Sequence, residues 1–204
     1  VNSDAIVINL VVEDDLSEAV LRKILQQSLK NFYIGACFGK KGFGYIKSKI
    51  AGFNKSAKGT PFFVLADLDR NECPPLLINE WLGEPIHPNL LFRIAVRQVE
   101  SWILADRNGF AKFLGISVKN LPHNPDEEND SKHALIDIVS RSRKSNLKRA
   151  ILPIPGGTAK VGPAYNSELS RFIYGYWNLQ NAIECSPSLR KTVLAVNMFK
   201  FVSP

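Results

Sequence analysis

"PFFVLADLDRN", Pro61–Asn71, decides the reading of this sequence. Five apolar residues, Phe62–Ala66, follow a proline and end at Asp67, with Asp69 two positions on. A short continuous apolar run bounded by turn-forming residues suits a strand covered on both faces, as in a parallel sheet. Why a buried strand ends in paired negative charge is the question the rest of the chain must answer. Crowded carboxylates raise one another's pKa unless a cation joins them.

Two further runs read the same way. "AIVINLVV", Ala5–Val12, is β-rich and nearly all apolar, and it ends at Glu13. "NLLFRIAVRQ", Asn89–Gln98, is a third strand, with Arg97 near its end and Glu100 opening the helix beyond. Helical segments lie between them. After Glu13, Leu16, Val20 and Ile24 recur at helical spacing, while Asp14, Asp15 and Glu18 sit where the helix dipole favours acids. "PPLLINEWLG" forms a short helix with proline in its first turn. "VESWILADRNGFAKFLGI" forms another, restarted at Asp106 as an N-cap. The alternation predicts an α/β fold, a mostly parallel sheet with helices on both faces.

The intervening segment, Phe32–Thr60, is rich in Gly, Lys and aromatics. It reads as loop with one short helix around Tyr45–Ala51, and its glycines lack phosphate-loop spacing. Beyond residue 125 come a polar loop, a helix over Lys132–Arg143, the Pro- and Gly-rich "ILPIPGGTAKVGP", and a final amphipathic helix over "AYNSELSRFIYGYWNLQNAIEC". The expected organisation is an α/β core over residues 1–125 and a mainly helical extension over 126–204, packed as one compact unit.

With 204 residues and 45% hydrophobic content, the chain suits one ordinary core. No apolar run approaches the roughly 20 residues that span a bilayer, so no membrane association is expected. "AIVINLVV" lacks the basic flank and cleavage site of a signal peptide. Cys37, Cys73 and Cys185 are scattered and match neither a disulfide framework nor a zinc spacing. A reducing cytoplasm is the expected setting.

The net charge of +7 is unevenly placed. Nine Lys or Arg and no acid lie between Ala19 and Ala66, and acids predominate from Asp67 to Asp130. A second basic cluster follows at Arg141, Arg143, Lys144, Lys148 and Arg149. A protein that holds a polyanion beside an acidic site has this asymmetry. Lys40, Lys41, Lys47 and Lys49, interleaved with Phe38, Phe43, Tyr45 and Phe53, are the candidate nucleic-acid contacts: the lysines track a backbone and the rings stack bases. The plain alternative is a set of solvated loop lysines.

Ligands of open α/β sheets bind beyond the carboxyl ends of the strands. Glu13, Asp67, Asp69 and Glu100 all fall there by sequence, and the spacing of Asp67 and Asp69 points both to one side if the strand geometry persists. Mg²⁺ resolves the repulsion, being a hard cation that takes carboxylate and phosphate oxygens. Each acid also has an ordinary reading, as a helix-start residue, a turn former or a partner of Arg93 or Arg97. Three separate strands ending in acids fit those readings less well. His87, His123 and His133 have no ligand spacing and read as loop residues or caps.

A Glu after the first strand and Asp-x-Asp after a later one resembles the signature of the TOPRIM fold of topoisomerases, bacterial primases and the overcoming-lysogenization nucleases. "VVEDDLSEAVLRKIL", "FFVLADLDRN", "FRIAVRQVESWILAD", "DSKHAL" and "YNSEL" together resemble a bacterial TOPRIM-like family associated with phage defence and often encoded beside an ATPase. The likeness spans most of the chain. The run Arg97, Glu100, Trp102, Leu104, Ala105, Asp106 is its most specific part. Asp14 stands where that family usually has Gly, and Ser131 where a Pro precedes Lys; neither removes a candidate ligand. The resemblance implies a TOPRIM/Rossmann-like sheet in which Asp67 and Asp69 hold Mg²⁺ (or Mn²⁺). Glu13 is then the general base or a further ligand, and Glu100 completes the site. Lys132 neutralises a phosphate, unless it is a solvated lysine at a helix start. The chemistry implied is phosphodiester hydrolysis in DNA or RNA. Two other readings stand beside it. One is an inactive TOPRIM-like module that binds the ATPase. The other is a haloacid-dehalogenase-type phosphohydrolase, which ranks lowest because Arg70 follows the Asp-x-Asp and an earlier strand already carries Glu13.

Overall fold

The computed structural model describes residues 5–203. Strand β1 (Ile6–Val12) leads to α1 (Asp15–Gln26), β2 (Phe32–Gly39), α2 (Phe43–Ser56), β3 (Phe62–Asp67), α3 (Pro74–Leu82), β4 (Leu90–Ala95), α4 (Val99–Ala105) and α5 (Arg107–Leu114). Two short 3-10 turns, Val118–Asn120 and Pro125–Glu127, precede α6 (Ser131–Ser140), α7 (Ser145–Ile151), α8 (Tyr165–Gly175), α9 (Leu179–Cys185) and α10 (Pro187–Met198). The four strands form one sheet in the order β2-β1-β3-β4, and every pairing is parallel. The fold is α/β, with helices on both sheet faces and a helical C-terminal part.

Strand alternation divides the core. Ile8, Leu10 and Val12 of β1, with Phe63 and Leu65 of β3, pack under α1 and α4. Val11, Phe62, Val64 and Ala66, with Phe92 and Ile94 of β4, pack under α2 and α3 through Ile46, Ile50 and Leu77. The chain moves from β1 outward to β2, then back across to β3 and on to β4. A reversal of direction with crossovers of one hand puts α1 on one face and α2 and α3 on the other. Every residue of α4 is buried, the polar Glu100 and Ser101 included, so its sequence shows no polar stripe facing solvent. The first cluster runs from Ile8 to Val196, so the segment beyond residue 125 shares its core with β1, β3 and α4.

Two sequence expectations need correction. Phe32–Thr60 is not loop around one short helix: it contains β2 and the 14-residue α2. β2 is an edge strand with Gly at both Gly35 and Gly39 and no buried residue, so the apolar run that marks a central strand is missing. Its register also slips, so that Gly35 and Ala36 together face Asn9. Asn9 Oδ1 accepts the Ala36 N–H at 2.8 Å, and a Cβ on Gly35 would meet that oxygen at 2.5 Å. Secondly, the expected final helix is two, α8 and α9, and neither is the last, since α10 follows. Trp177 turns into the core at 2% exposure and donates its indole N–H to Trp102 O, while Asn178 caps α9. Among the described residues no helix is long and apolar enough to cross a membrane, and all three cysteines are free.

Candidate active site

β1 and β3 are neighbours, and the chain departs from β1 toward one edge and from β3 toward the other. This is the switch point of the sheet, where strand ends leave a crevice. Glu13, directly after β1, places its Oε1 to accept the Asp67 backbone N–H at 2.8 Å. The loop after β2 folds over the same end: Lys40 N–H donates to Val12 O at 2.9 Å and Gly42 N–H to Glu13 O at 3.0 Å. Gly39 permits this approach, with φ of 107° and no room for a Cβ beside Val12 O.

Asp67 is the last residue of β3, and its Oδ1 accepts the N–H of Val99 at 2.9 Å. Gln98, which precedes α4, makes no side-chain cap, so a carboxylate from β3 satisfies the first N–H of that helix instead. Asp69 sits in the left-handed region at φ 47°, with its N–H bonded to Arg97 O at 2.9 Å. The chain has therefore left extended geometry at Asp69, and the two aspartates are not held parallel by strand spacing. Gln98 joins the parts: its Nε2 donates to Asp69 Oδ1 at 3.2 Å, and its Oε1 accepts the Lys132 N–H at 2.9 Å.

Glu100 is 1% exposed. Its Oε1 accepts the Tyr165 hydroxyl at 2.8 Å and faces Lys132 Nζ at 3.3 Å, while Oε2 is buried with no hydrogen-bond partner. Lys132 comes from the first turn of α6, which Asp130 fixes by accepting the His133 N–H at 2.8 Å. It is an ion-pair partner, not a solvated lysine. Asp14 is occupied as the N-cap of α1, accepting Ser17 N–H at 2.8 Å.

The electrostatics follow. Burial, and then the charges of Asp69 and Asp14, push Glu13 up to about 7, against the pull of the Asp67 N–H and Lys132. Burial pushes Asp67 well above the usual carboxylate range, and Glu100, Glu13 and Asp69 push it further. Burial also raises Glu100, with Lys132 and Tyr165 opposing. Burial lowers the Lys132 ammonium, but Glu100 and Asp67 outweigh it and hold its proton more firmly than in water. One ammonium thus faces several carboxylates in a partly desolvated site.

Asp67, Asp69 and Gln98 line a groove of about 560 Å³, together with Lys47, Arg70 and Phe43. Of the four candidate lysines, Lys47 alone reaches this groove, where it pairs with Glu80 at 2.7 Å. Lys40 is bound to Asp15 at 2.7 Å and Glu18 at 2.6 Å. Lys41 lies over the Tyr45 ring at 5.8 Å, and Lys49 is exposed on α2. Phe38 and Phe53 pack with Phe62, so only Phe43 of the expected stacking rings stands free beside the acids, 55% exposed. Arg143 and Lys144 of the second basic cluster lie elsewhere, around a cavity of about 650 Å³ with Lys112 and Arg171.

Most of the specific sequence run proves architectural. Trp102 is wholly buried and donates to Ser188 Oγ at 2.7 Å. Asp106, also wholly buried, accepts N–H groups from Gly109 and Asn178. Arg97 holds Asn71 O at 2.6 Å. Gln98 and Tyr165 are site residues that sequence reasoning did not select. Tyr165 opens the stretch "YNSEL" but has no role in the resemblance; it reads as one of several aromatics on a helix and meets Glu100 from 65 positions away.

Carboxylates suit a hard divalent cation, and the orphaned Glu100 Oε2 and the under-neutralised cluster fit one. Among the described residues, no three His, Cys, Asp or Glu side chains stand close enough together to form a ready-made chelate. Compared with protein-family models, curated proteins and solved structures, the chain matches none.

Proposed function

We propose that the chain is a divalent-metal-dependent nuclease of TOPRIM-like type, which hydrolyses phosphodiester bonds of DNA or RNA as a phage-defence effector, with an ATPase as partner. One observation carries the reading: Glu13, Asp67, Asp69 and Glu100 lie at the carboxyl ends of neighbouring strands around the sheet's switch point, with Lys132 paired to Glu100, in surroundings that hold three of the four acids above their ordinary pKa. A cluster so poised takes a further cation and a phosphate with it.

Asp67 and Asp69, which face the groove, would hold Mg²⁺ or Mn²⁺, with Glu13 beside them. Bound there, the ion supplies charge neutralisation for the phosphate and acidifies water. Glu13 would accept a proton from the attacking water at its carboxylate. Lys132 has its ammonium held charged by Glu100 and stands ready to meet phosphate oxygen. Tyr165 and Gln98 keep Glu100, Asp69 and Lys132 in place. Lys47, Arg70 and Phe43 line the groove and fit a nucleic-acid strand, cations for its backbone and a ring for a base.

The inactive partner-module reading has two observations in its favour: the Lys132 ammonium already pairs with Glu100, and among the described residues no three acids are gathered as a chelate. Incubating the protein with single- and double-stranded DNA, tRNA and mixed RNA separates the two. Cleavage with Mg²⁺ or Mn²⁺ that stops with EDTA supports the nuclease. Absence of cleavage on every substrate, with Mn²⁺ present and the ATPase added, leaves the partner module.

A further inference from the structure

β4 forms one edge of the sheet. In a strand, each residue points its N–H and C=O the same way, and successive residues alternate. The carbonyls of Asn89 and Ala95 accept N–H groups of Phe62 and Leu68 at 3.0 and 2.9 Å, so odd-numbered residues of β4 face β3. Phe92 and Ile94, 3% and 5% exposed, therefore direct their main-chain groups to the edge that β3 leaves unpaired. A groove of about 440 Å³ runs along it, with Pro74 and Ile78 of α3 on one wall and Pro187 and Lys191 of α10 on the other.

Arg93 projects into the same groove. Its Nε donates to Thr192 Oγ1 at 3.3 Å, and among the described residues it has no carboxylate within ion-pair range. Burial alone lowers its pKa, with no counter-charge acting on it. A half-buried guanidinium with no anion is costly, and its planar fork matches a carboxylate. Asp126 also borders the groove, but its oxygens are engaged by the Ser186 hydroxyl and the Ser188 N–H at 2.7 and 2.8 Å. Lys191 adds a second positive charge on the rim.

We propose that this edge is a β-augmentation site: an extended segment of a partner protein adds beside β4, bonds the main-chain groups of Phe92 and Ile94, and sets an Asp or Glu side chain against Arg93. Main-chain bonds supply affinity in this mode, and side-chain pockets supply selectivity. A second copy of this chain fits worse, since β4 paired with itself about the groove brings two Arg93 side chains together. The proposal is independent of any nuclease activity.

The test is a random peptide library displayed on phage, selected on the intact chain and counter-selected on Arg93→Gln. The expected outcome is enrichment of peptides with Asp or Glu among alternating β-branched residues. Synthetic versions should bind at least about tenfold more weakly to Arg93→Gln and to Lys191→Glu, a tenfold change being about 1.4 kcal/mol. They should also slow amide hydrogen exchange at Phe92 and Ile94. Lys191 is exposed, so its variant keeps the fold even if Arg93→Gln does not. The proposal is overturned if no sequence is enriched over the counter-selection, if the acid is dispensable, or if exchange at Phe92 and Ile94 is unchanged by bound peptide.

Discussion

Glu13 Oε1 lies 2.8 Å from the backbone nitrogen of Asp67, 54 positions along the chain, and this bond ties the ends of β1 and β3 together. One residue thus has two duties. It closes the switch point of the sheet, and it contributes a charge to the acidic cluster. Substitution separates them. Glu13→Gln keeps an acceptor for the Asp67 N–H and removes the charge, so its thermal stability without metal should match or exceed wild type while cleavage is lost. Glu13→Ala leaves a buried N–H unpaired and should lose about 1–3 kcal/mol in denaturant titration.

Stability should fall as pH rises in EDTA. Glu13 has an ordinary pKa of 4.5 and is raised to about 7 in the fold. Below about 4.5 it is protonated in both states and contributes nothing. Between about 4.5 and 7 the unfolded chain releases this proton and the folded one keeps it, so unfolding is favoured progressively. Above 7 the loss is complete, up to roughly 3 kcal/mol for a carboxyl raised this far. Asp67 and Glu100, raised for the same reason, add to the slope. Melting curves across this range check it, and Glu13→Gln should flatten the profile.

Tyr165 and Lys132 act on Glu100 in different ways. Tyr165→Phe removes one neutral donor and should cost about 1–2 kcal/mol. Lys132→Met removes the ammonium from a carboxylate that is 1% exposed. Because Lys132 is 38% exposed and Glu100 takes up a proton in response, the loss should be nearer 1–3 kcal/mol than the 3–5 kcal/mol of a fully buried pair. It should shrink at low pH. Denaturant titrations at two pH values measure both effects.

Lys40, Lys47 and Lys49 should not behave alike. Lys40 links the loop after β2 to α1 through Asp15 and Glu18, so Lys40→Gln should lower the melting temperature slightly. Lys47→Gln, at the groove beside Asp69, should reduce the salt dependence of binding to a single-stranded oligonucleotide by about one charge. Lys49→Gln, exposed on α2, should change little. Equal slopes for all variants and wild type would make the segment a solvated surface.

Sequence reasoning reached the parts of this fold that burial writes plainly. β1, β3 and β4 are apolar runs because both faces are covered, and α1 is striped because only one of its sides is. The gathering of Glu13, Asp67, Asp69 and Glu100 at one sheet end also follows from sequence, since strand ends share an edge once the strands are parallel. β2 escaped because an edge strand with a bulge at Asn9 and no buried residue shows no such run. The environment of Glu100 was not legible either. Its burial, its tie to Tyr165 and the bridge through Gln98 to Lys132 join α4 to α8 and α6, and no local pattern encodes such contacts.

Mn²⁺ binding to Asp69→Asn, followed by electron paramagnetic resonance against wild type, tests the central claim most directly. Asn tolerates the left-handed backbone that Asp69 adopts at φ 47°, so the substitution removes a charge and leaves the turn intact. The account predicts saturable Mn²⁺ binding by wild type, competed by Mg²⁺, and binding at least about tenfold weaker in the mutant, with the metal-free melting temperature unchanged or raised. Equal Mn²⁺ binding by the two proteins, or none by wild type, would contradict it.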